Sequence, residues 1–451
     1  MSTTDPYVLS PDSIKDPPQT FRSRLKYLGP GFILSASIVG SGELIATTTL
    51  GAQAGFITFW VIIISCLVKV ALQVEFAKYT ILTGKTTMNI IDELPGPRFG
   101  KARWSVWAMF GFMIIKLLQL AGILGGVAIV LNIAIPGMSI APWAFIIAIS
   151  VSLLIYKGYY KPIENFSVIM IGFFTLFTFM SLHFVQYTPF AFTFEQILSG
   201  LQFRLPKEAA AVAIGAFGIT GVGGDEIMYY NYWCLEKGYA RYTGPREDSD
   251  DWRERSKGWI KTMYLDAIAA MIVYTVVTAL FYLLGASVLY AQGKIPEGYE
   301  MIETISAIYT ESLGPGAKIV YLGGAFLVLF STLFASLAAW ARLFPDIFGM
   351  LGWINFSDMA VRKRYLAIVA WTAPLLWASL FLFIKLPVIL ILSGGIVGSF
   401  ILFVIVFSGI YIRYWKTESY FKAGLLYDMI LWISIISIFS IGLYGLWQLF
   451  F

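Results

Sequence analysis

Long apolar stretches separated by short polar segments dominate this chain of 451 residues. A run of roughly 20 mostly apolar residues is long enough to cross a membrane as a helix. The pattern therefore predicts an all-α polytopic membrane protein with about eleven transmembrane helices. The predicted spans are 29–51, 56–82, 104–131, 141–157, 165–186, 209–234, 260–289, 317–342, 365–384, 387–412 and 427–450.

Two of these spans, the first and the sixth, are interrupted by small residues that precede an acid. Residues 39–44 read VGSGEL and residues 222–227 read VGGDEI. Glycine disfavours a helix, and an acid suits the positive start of the next half-helix. Unpaired backbone is tolerated inside a membrane only where it is buried in protein or lines a cavity. Two such breaks in corresponding halves of a chain indicate the substrate site of a secondary transporter.

The distance between the breaks predicts an inverted repeat. Five spans per repeat is an odd number, so the second repeat has the opposite orientation. The predicted regions are a disordered cytoplasmic tail over 1–28, a first five-helix repeat over 29–186, a second repeat over 209–412 and an eleventh helix over 427–451. The alternative is that the glycines only allow close helix packing. Closely spaced glycines followed by Glu at both breaks favour the transporter.

Composition and charge support a membrane protein and suggest its orientation. The chain is 58% hydrophobic and 13% charged, with a mean hydropathy of +0.75, whereas soluble domains carry about 25% charged residues. Lys and Arg concentrate in alternate loops, which predicts a plasma or inner membrane protein with its N-terminus in the cytoplasm and its C-terminus outside. The net charge of +5 thus reflects topology and not nucleic acid binding. The oligomeric state stays open.

The sequence contains no His-rich cluster, Ser-His pair or nucleotide-binding loop, so we expect neither an enzyme nor a cofactor. Several short motifs instead resemble the NRAMP (natural resistance-associated macrophage protein) family of divalent-metal transporters. These motifs are GPGF at 29–32, GAQAGF at 51–56, TGK at 83–85, LNI at 131–133 and YKPIE at 160–164. The resemblance implies a leucine-transporter-type fold of five plus five helices, with helices 1 and 6 unwound at the midplane and alternating access around them.

The residues at the breaks depart from the family pattern. NRAMP metal transporters carry Asp-Pro-Gly-Asn at the first break and Met-Pro-His-Asn at the second. Here the metal-binding Asp is replaced by Gly40, the Met by Gly223 and the His by Asp225. The chain therefore resembles a divergent relative that lacks the usual transition-metal ligands.

One interpretation of the altered site is a small anion, with bicarbonate first and nitrate or formate next. Glycines leave bare backbone N–H groups at half-helix N-termini, which bind anions. A charge in mid-membrane, such as Lys116, is expected to face a cavity or a partner. Coupling to H⁺ or Na⁺ would involve Glu43 or Asp225. The predicted substrate-binding residues are Gly40, Ser41, Gly42, Glu43, Lys116, Gln119, Thr220, Gly223, Gly224, Asp225 and Glu226.

The alternative interpretation is a hard divalent cation. Glu43, Asp225 and Glu226 offer three carboxylates around one site, and oxygen ligands suit Mg²⁺, Mn²⁺ or Ca²⁺. Against a metal site, acids in a first helical turn are also expected merely as caps. The sequence favours the anion over this divalent cation.

Three further charges lie in the second predicted span. Lys69, Glu75 and Lys78 could form a gate network, or the lysines could extend their ammonium groups to the membrane surface.

Overall fold

Helices form nearly all of the regular structure of this chain. The computed structural model describes residues 5–40, 42–156 and 160–450. The helices are α1 (Phe21–Leu25), α2 (Pro30–Ile38), α3 (Thr48–Ala54), α4 (Phe59–Val68), α5 (Val70–Thr83), α6 (Thr87–Ile91), α7 (Trp104–Ile115), α8 (Leu117–Ala134), α9 (Ile140–Tyr156), α10 (Tyr160–Val185), α11 (Phe194–Ser199), α12 (Ala210–Ile219), α13 (Gly224–Lys237), α14 (Tyr239–Thr243), α15 (Asp250–Leu284), α16 (Met301–Leu313), α17 (Ala317–Leu351), α18 (Met359–Ile384), α19 (Pro387–Tyr411) and α20 (Leu425–Phe450). A two-stranded antiparallel ribbon pairs β1 (Arg98–Phe99) with β2 (Ala102–Arg103).

The predicted spans correspond to these helices. Within the described residues, eight helices are long and apolar enough to cross a membrane, and two shorter apolar helices, Ile140–Tyr156 and Gly172–Val185, match the fourth and fifth predicted spans. One of the eight, Gly42–Thr83, contains the second half of the first predicted span and all of the second. Residue 157, the predicted end of the fourth span, lies outside the described residues.

The first broken helix begins at a proline and ends after nine residues. Pro30 occupies the first helical turn, where its missing N–H is not needed. The free N–H groups of Gly29 and Gly31 donate to the Asp266 carboxylate on α15, at 2.8 and 2.5 Å. After Ile38 the backbone leaves the helix, and it resumes as a π-helical turn over Gly42–Thr47 that leads into α3.

The second broken helix has the same organisation. Helix α12 ends at Ile219, Thr220 is extended, and α13 starts at Gly224. Gly221 has φ +60°, and an added Cβ there would lie 2.8 Å from the Cα of Cys66. Only glycine takes this conformation and this close approach without strain. Helix α12 contacts the Gly42–Thr47 turn, and α13 contacts α2, so the two breaks lie side by side.

The N-terminal segment differs from the prediction of a disordered tail. Residues 5–28 include α1 and pack against one end of the helix bundle. The Arg362 guanidinium donates to the Asp5 carboxylate at 2.7 Å, and the Trp259 indole donates to the Lys15 carbonyl at 2.9 Å. The segment is ordered because charged and aromatic side chains on distant helices bind its carboxylate and backbone. The predicted orientation of the termini and the division into repeats stay predictions.

Candidate functional site

The carboxylate of Glu43 joins the two helix breaks. Its Oε2 accepts from the backbone N–H of Gly40 at 3.4 Å, and its Oε1 accepts from the N–H of Gly221 at 3.5 Å. Both bonds are long, whereas the hydroxyl of Thr278 on α15 is shared between Oε1, at 3.0 Å, and the Tyr274 carbonyl of its own helix, at 2.7 Å. Glu43 is completely buried. One acid thus accepts backbone donors from both breaks at once.

The space beside Gly40 is filled by Thr332 on α17. A Cβ added to Gly40 would overlap the Thr332 hydroxyl. That hydroxyl donates to the carbonyls of Ser37 and Val328, each at 3.2 Å. An aspartate, the residue of the related family at this position, has no room here.

At the second break an ion pair joins α13 to the third predicted span. The Lys116 ammonium donates to Asp225 Oδ1 at 2.8 Å and to Gln119 Oε1 at 2.7 Å. The Tyr229 hydroxyl donates to Asp225 Oδ2 at 3.2 Å and accepts from the Trp340 indole at 2.7 Å. Lys116 is completely buried, as expected of a mid-membrane charge that has a partner.

The carboxylate of Glu226 lies beside this pair and is less completely bonded. Its Oε2 is buried and has no hydrogen-bond donor within the described part of the chain. A Cβ added to Gly223 would overlap Glu226 Oε2 and would lie 2.9 Å from the Gly218 carbonyl oxygen and 3.2 Å from Asp225 Oδ1. Three oxygen atoms therefore converge beside Gly223, in space that a methionine side chain would fill. Glycine is required because the carboxylate occupies that space.

A second buried ammonium, that of Lys69, binds the broken end of α12. Its Nζ donates to the carbonyls of Phe217 and Thr220, each at 2.7 Å. Lys69 is neither part of a carboxylate gate network nor extended to the surface, because carbonyls hold it and its exposure is 0%. The sequence alone does not predict this contact. Position 69 lies halfway along the predicted span 56–82, and that depth was the available signal.

The structure brings the predicted site residues to the two adjacent breaks, apart from Ser41, which lies outside the described residues. The Thr220 hydroxyl donates to Ser65 at 2.8 Å, and Gly42 lies against the Ile219 carbonyl. Elsewhere, Glu75 and Lys78 pair with each other at 2.6 Å.

No group of three or more His, Cys, Asp or Glu in the described ranges is arranged to hold a metal ion. Glu43, Asp225 and Glu226 therefore do not form such a group within the described residues.

The paired breaks and the long apolar helices define a multi-pass membrane transporter of the leucine-transporter type. The manganese transporter of Eremococcus coleocola has the same fold, with a TM-score of 0.64, 16% identity, and coverage of 97% of this chain and 90% of that chain. MhsT in complex with L-phenylalanine gives a TM-score of 0.56 at 16% identity, covering 91% of this chain and 98% of that chain. These similarities establish the fold, so the predicted architecture is confirmed.

The family is established by sequence. The Nramp family model, described as natural resistance-associated macrophage protein-like, matches residues 31–448, and the chain belongs to this family. A divalent metal cation transporter MntH of Caldanaerobacter subterraneus is 24% identical over 305 residues, 63% of this chain and 65% of that protein. The MntH of Pediococcus pentosaceus is 30% identical over 126 residues, 28% of each chain. These matches span less than two thirds of the relatives' own length. Family members are transporters and not enzymes.

Proposed function

We propose that this protein transports a hard divalent metal cation, of the Mg²⁺ or Mn²⁺ type, by alternating access at the second helix break. The observation that carries the proposal is the buried Glu226 Oε2, which lacks a donor among the described residues. It borders the same small space as Asp225 Oδ1 and the Gly218 carbonyl. Carboxylate and carbonyl oxygens are the ligands of hard cations. The carbonyl ends of broken helices are also where transporters coordinate cations.

The relatives support a cation as the cargo. The residues at the second break, however, differ from the family pattern in a way that favours a different cation. The MntH relatives are named divalent metal cation transporters, and the Eremococcus coleocola protein is a manganese transporter. Soft thioether ligands favour transition metals over Mg²⁺. Gly223 removes that thioether, and Glu226 fills its space with oxygen. We infer that selectivity has moved toward oxygen-preferring cations.

The Lys116–Asp225 pair supplies a mechanism for returning the empty carrier. An unpaired carboxylate in a buried site is costly. In this structure the Lys116 ammonium neutralises Asp225 at 2.8 Å. A divalent cation held by Asp225 and Glu226 would displace that ammonium, and cargo release would restore the pair. Glu43, which accepts donors from both breaks, is the proposed carrier of a coupling proton.

A small anion is the second candidate, and Lys116 is the observation that favours it. The anion interpretation, however, requires free donors at the breaks. The N–H groups of Gly40 and Gly221 are both directed at Glu43, and the Thr220 hydroxyl is bonded to Ser65. The chain's own acid thus takes the position in which a bound anion was expected. Bicarbonate is therefore no longer the favoured cargo.

A flux experiment tests the proposal. Full-length protein in liposomes is compared for uptake of Mg²⁺, Mn²⁺, bicarbonate and nitrate, with and without pH and Na⁺ gradients. We expect saturable uptake of a divalent cation that falls at least about tenfold in Glu226→Gln, since a neutral amide binds a hard cation weakly. The control is Glu195→Gln, at an exposed position of α11, which is expected to transport normally. Bicarbonate or nitrate uptake without divalent cation uptake would contradict the proposal.

A further inference from the structure

Lys69 stands at an interruption in its own helix. Helix α4 ends at Val68 and α5 begins at Val70, so the lysine lies between the two segments. Its ammonium makes two hydrogen bonds of 2.7 Å, to the carbonyls of Phe217 and Thr220. Bonds this short are typical of a charged donor. The ring of Phe217 also lies under the ammonium, with 4.9 Å from Nζ to the ring centroid.

The two carbonyls belong to the broken end of α12. The last four carbonyls of a helix lack partners within it, and the dipole makes this end partially negative. The Ser65 hydroxyl donates to the same two carbonyls at 3.0 Å each, and it accepts from the Thr220 hydroxyl. The ammonium thus lies in a buried cage, which consists of the Phe217 and Thr220 carbonyls, the Ser65 hydroxyl bonded to them and the Phe217 ring. Free monovalent cations bind in such cages at unwound helix ends in transporters.

We propose that Lys69 is a built-in monovalent cation, a tethered ammonium that fills the place at the end of α12 where a mobile Na⁺ or K⁺ would otherwise bind. The tether keeps the ammonium at the break, so the break needs no alkali ion for its stability. Phe217 and Thr220 direct their carbonyls to the lysine, whereas the Gly218 carbonyl oxygen lies near the Asp225 and Glu226 carboxylates beside Gly223. The carbonyls that bind Lys69 are therefore different from the one that borders the proposed cargo site.

The test measures thermal unfolding and requires no transported substrate. Purified full-length protein, with EDTA present to remove divalent cations, is heated in NaCl, KCl or N-methylglucamine chloride at equal ionic strength. We expect the wild-type midpoint to be the same in all three salts. Lys69→Ala opens the cage, so its midpoint should be lower in N-methylglucamine and higher by a few degrees in Na⁺ or K⁺. Such a rise is the mass-action signature of a bound ion.

Lys69→Met is the matched control, because its side chain fills the cage without a charge. It should be less stable than wild type and should not respond to Na⁺ or K⁺. If the lysine contributes only packing, the midpoint of Lys69→Ala will not differ between the three salts, and that result would overturn the proposal. A wild-type midpoint that rises in Na⁺ or K⁺, or a Lys69→Ala protein that is unfolded in all salts, would also overturn it. The outcome does not depend on which cargo the protein carries.

Discussion

The two helix breaks have nearly the same sequence but hold their acids in opposite ways. At the first break, neutral donors bind Glu43: two backbone N–H groups and the Thr278 hydroxyl. At the second break, the Lys116 ammonium pairs with Asp225, and Glu226 retains an oxygen without a donor among the described residues. One motif can therefore be used in two ways. The donors at the first break bind its own carboxylate, whereas the second break leaves a carboxylate oxygen without a donor among the described residues.

The groups that fill the space next to Gly40 and Gly223 also differ in charge. Thr332 from α17 fills the position beside Gly40 with a hydroxyl that is bonded to carbonyls. Glu226, from the second break itself, fills the position beside Gly223. The side chain that fills the space beside the glycine is thus a neutral threonine at the first break and an acid at the second.

The largest expected effect is at the second break. Lys116→Met leaves Asp225 buried without its charge partner, which should destabilise the protein by about 3–5 kcal/mol. Adding Asp225→Asn should recover most of that loss, because the pair is then removed as a unit. Thermal unfolding of purified protein measures both variants. Lys363→Met, at an exposed position, is the control. A single variant as stable as wild type would show that the ion pair does not hold this break.

A steric effect at the first break comes next. Gly40→Ala places a methyl group onto the Thr332 hydroxyl, and overpacking of this kind costs about 3 kcal/mol. Thr332→Gly should restore part of the stability. Gly323→Ala, on the same helix as Thr332, is the control, because nothing lies within 4 Å of its added Cβ. If Gly40→Ala and Gly323→Ala unfold at the same temperature, the first break is more open than the structure indicates.

The smallest effect is expected from the neutral donor to Glu43. Thr278→Val removes a hydroxyl that is shared between the buried Glu43 and the Tyr274 carbonyl, and the loss of the donor to the acid should cost about 2 kcal/mol. Thr372→Val is the matched control, because that exposed hydroxyl bonds only to its own helix at Ile368. Chemical or thermal unfolding of the purified proteins compares the stabilities of the Thr278→Val and Thr372→Val variants. Should Thr278→Val prove as costly as Lys116→Met, the proposed difference between the breaks would be wrong.

Most of the architecture follows from local pattern. Length and apolarity predict the spans, because a membrane helix must satisfy its own backbone and cover it with apolar side chains. The positions of both breaks follow from glycine combined with the acid that comes after it, because glycine alone also occurs inside unbroken helices, as at Gly125 and Gly126 in α8. The N-terminal segment was predicted wrongly, since composition does not reveal that Arg362 and Trp259 bind its backbone and carboxylate from distant helices.

Local sequence is enough to show that this chain spans a membrane, where two of its helices break and which acids follow the breaks. Helix length and glycine content are local properties, so they can be identified without coordinates. Which groups meet depends on the tertiary structure. It brings Lys116 to Asp225, Lys69 to the end of α12 and Glu43 to Gly221, over separations of 109, 151 and 178 residues. Charge pairing between distant segments depends on how helices pack, and that packing supports the proposal of a cation, in preference to an anion, as the cargo.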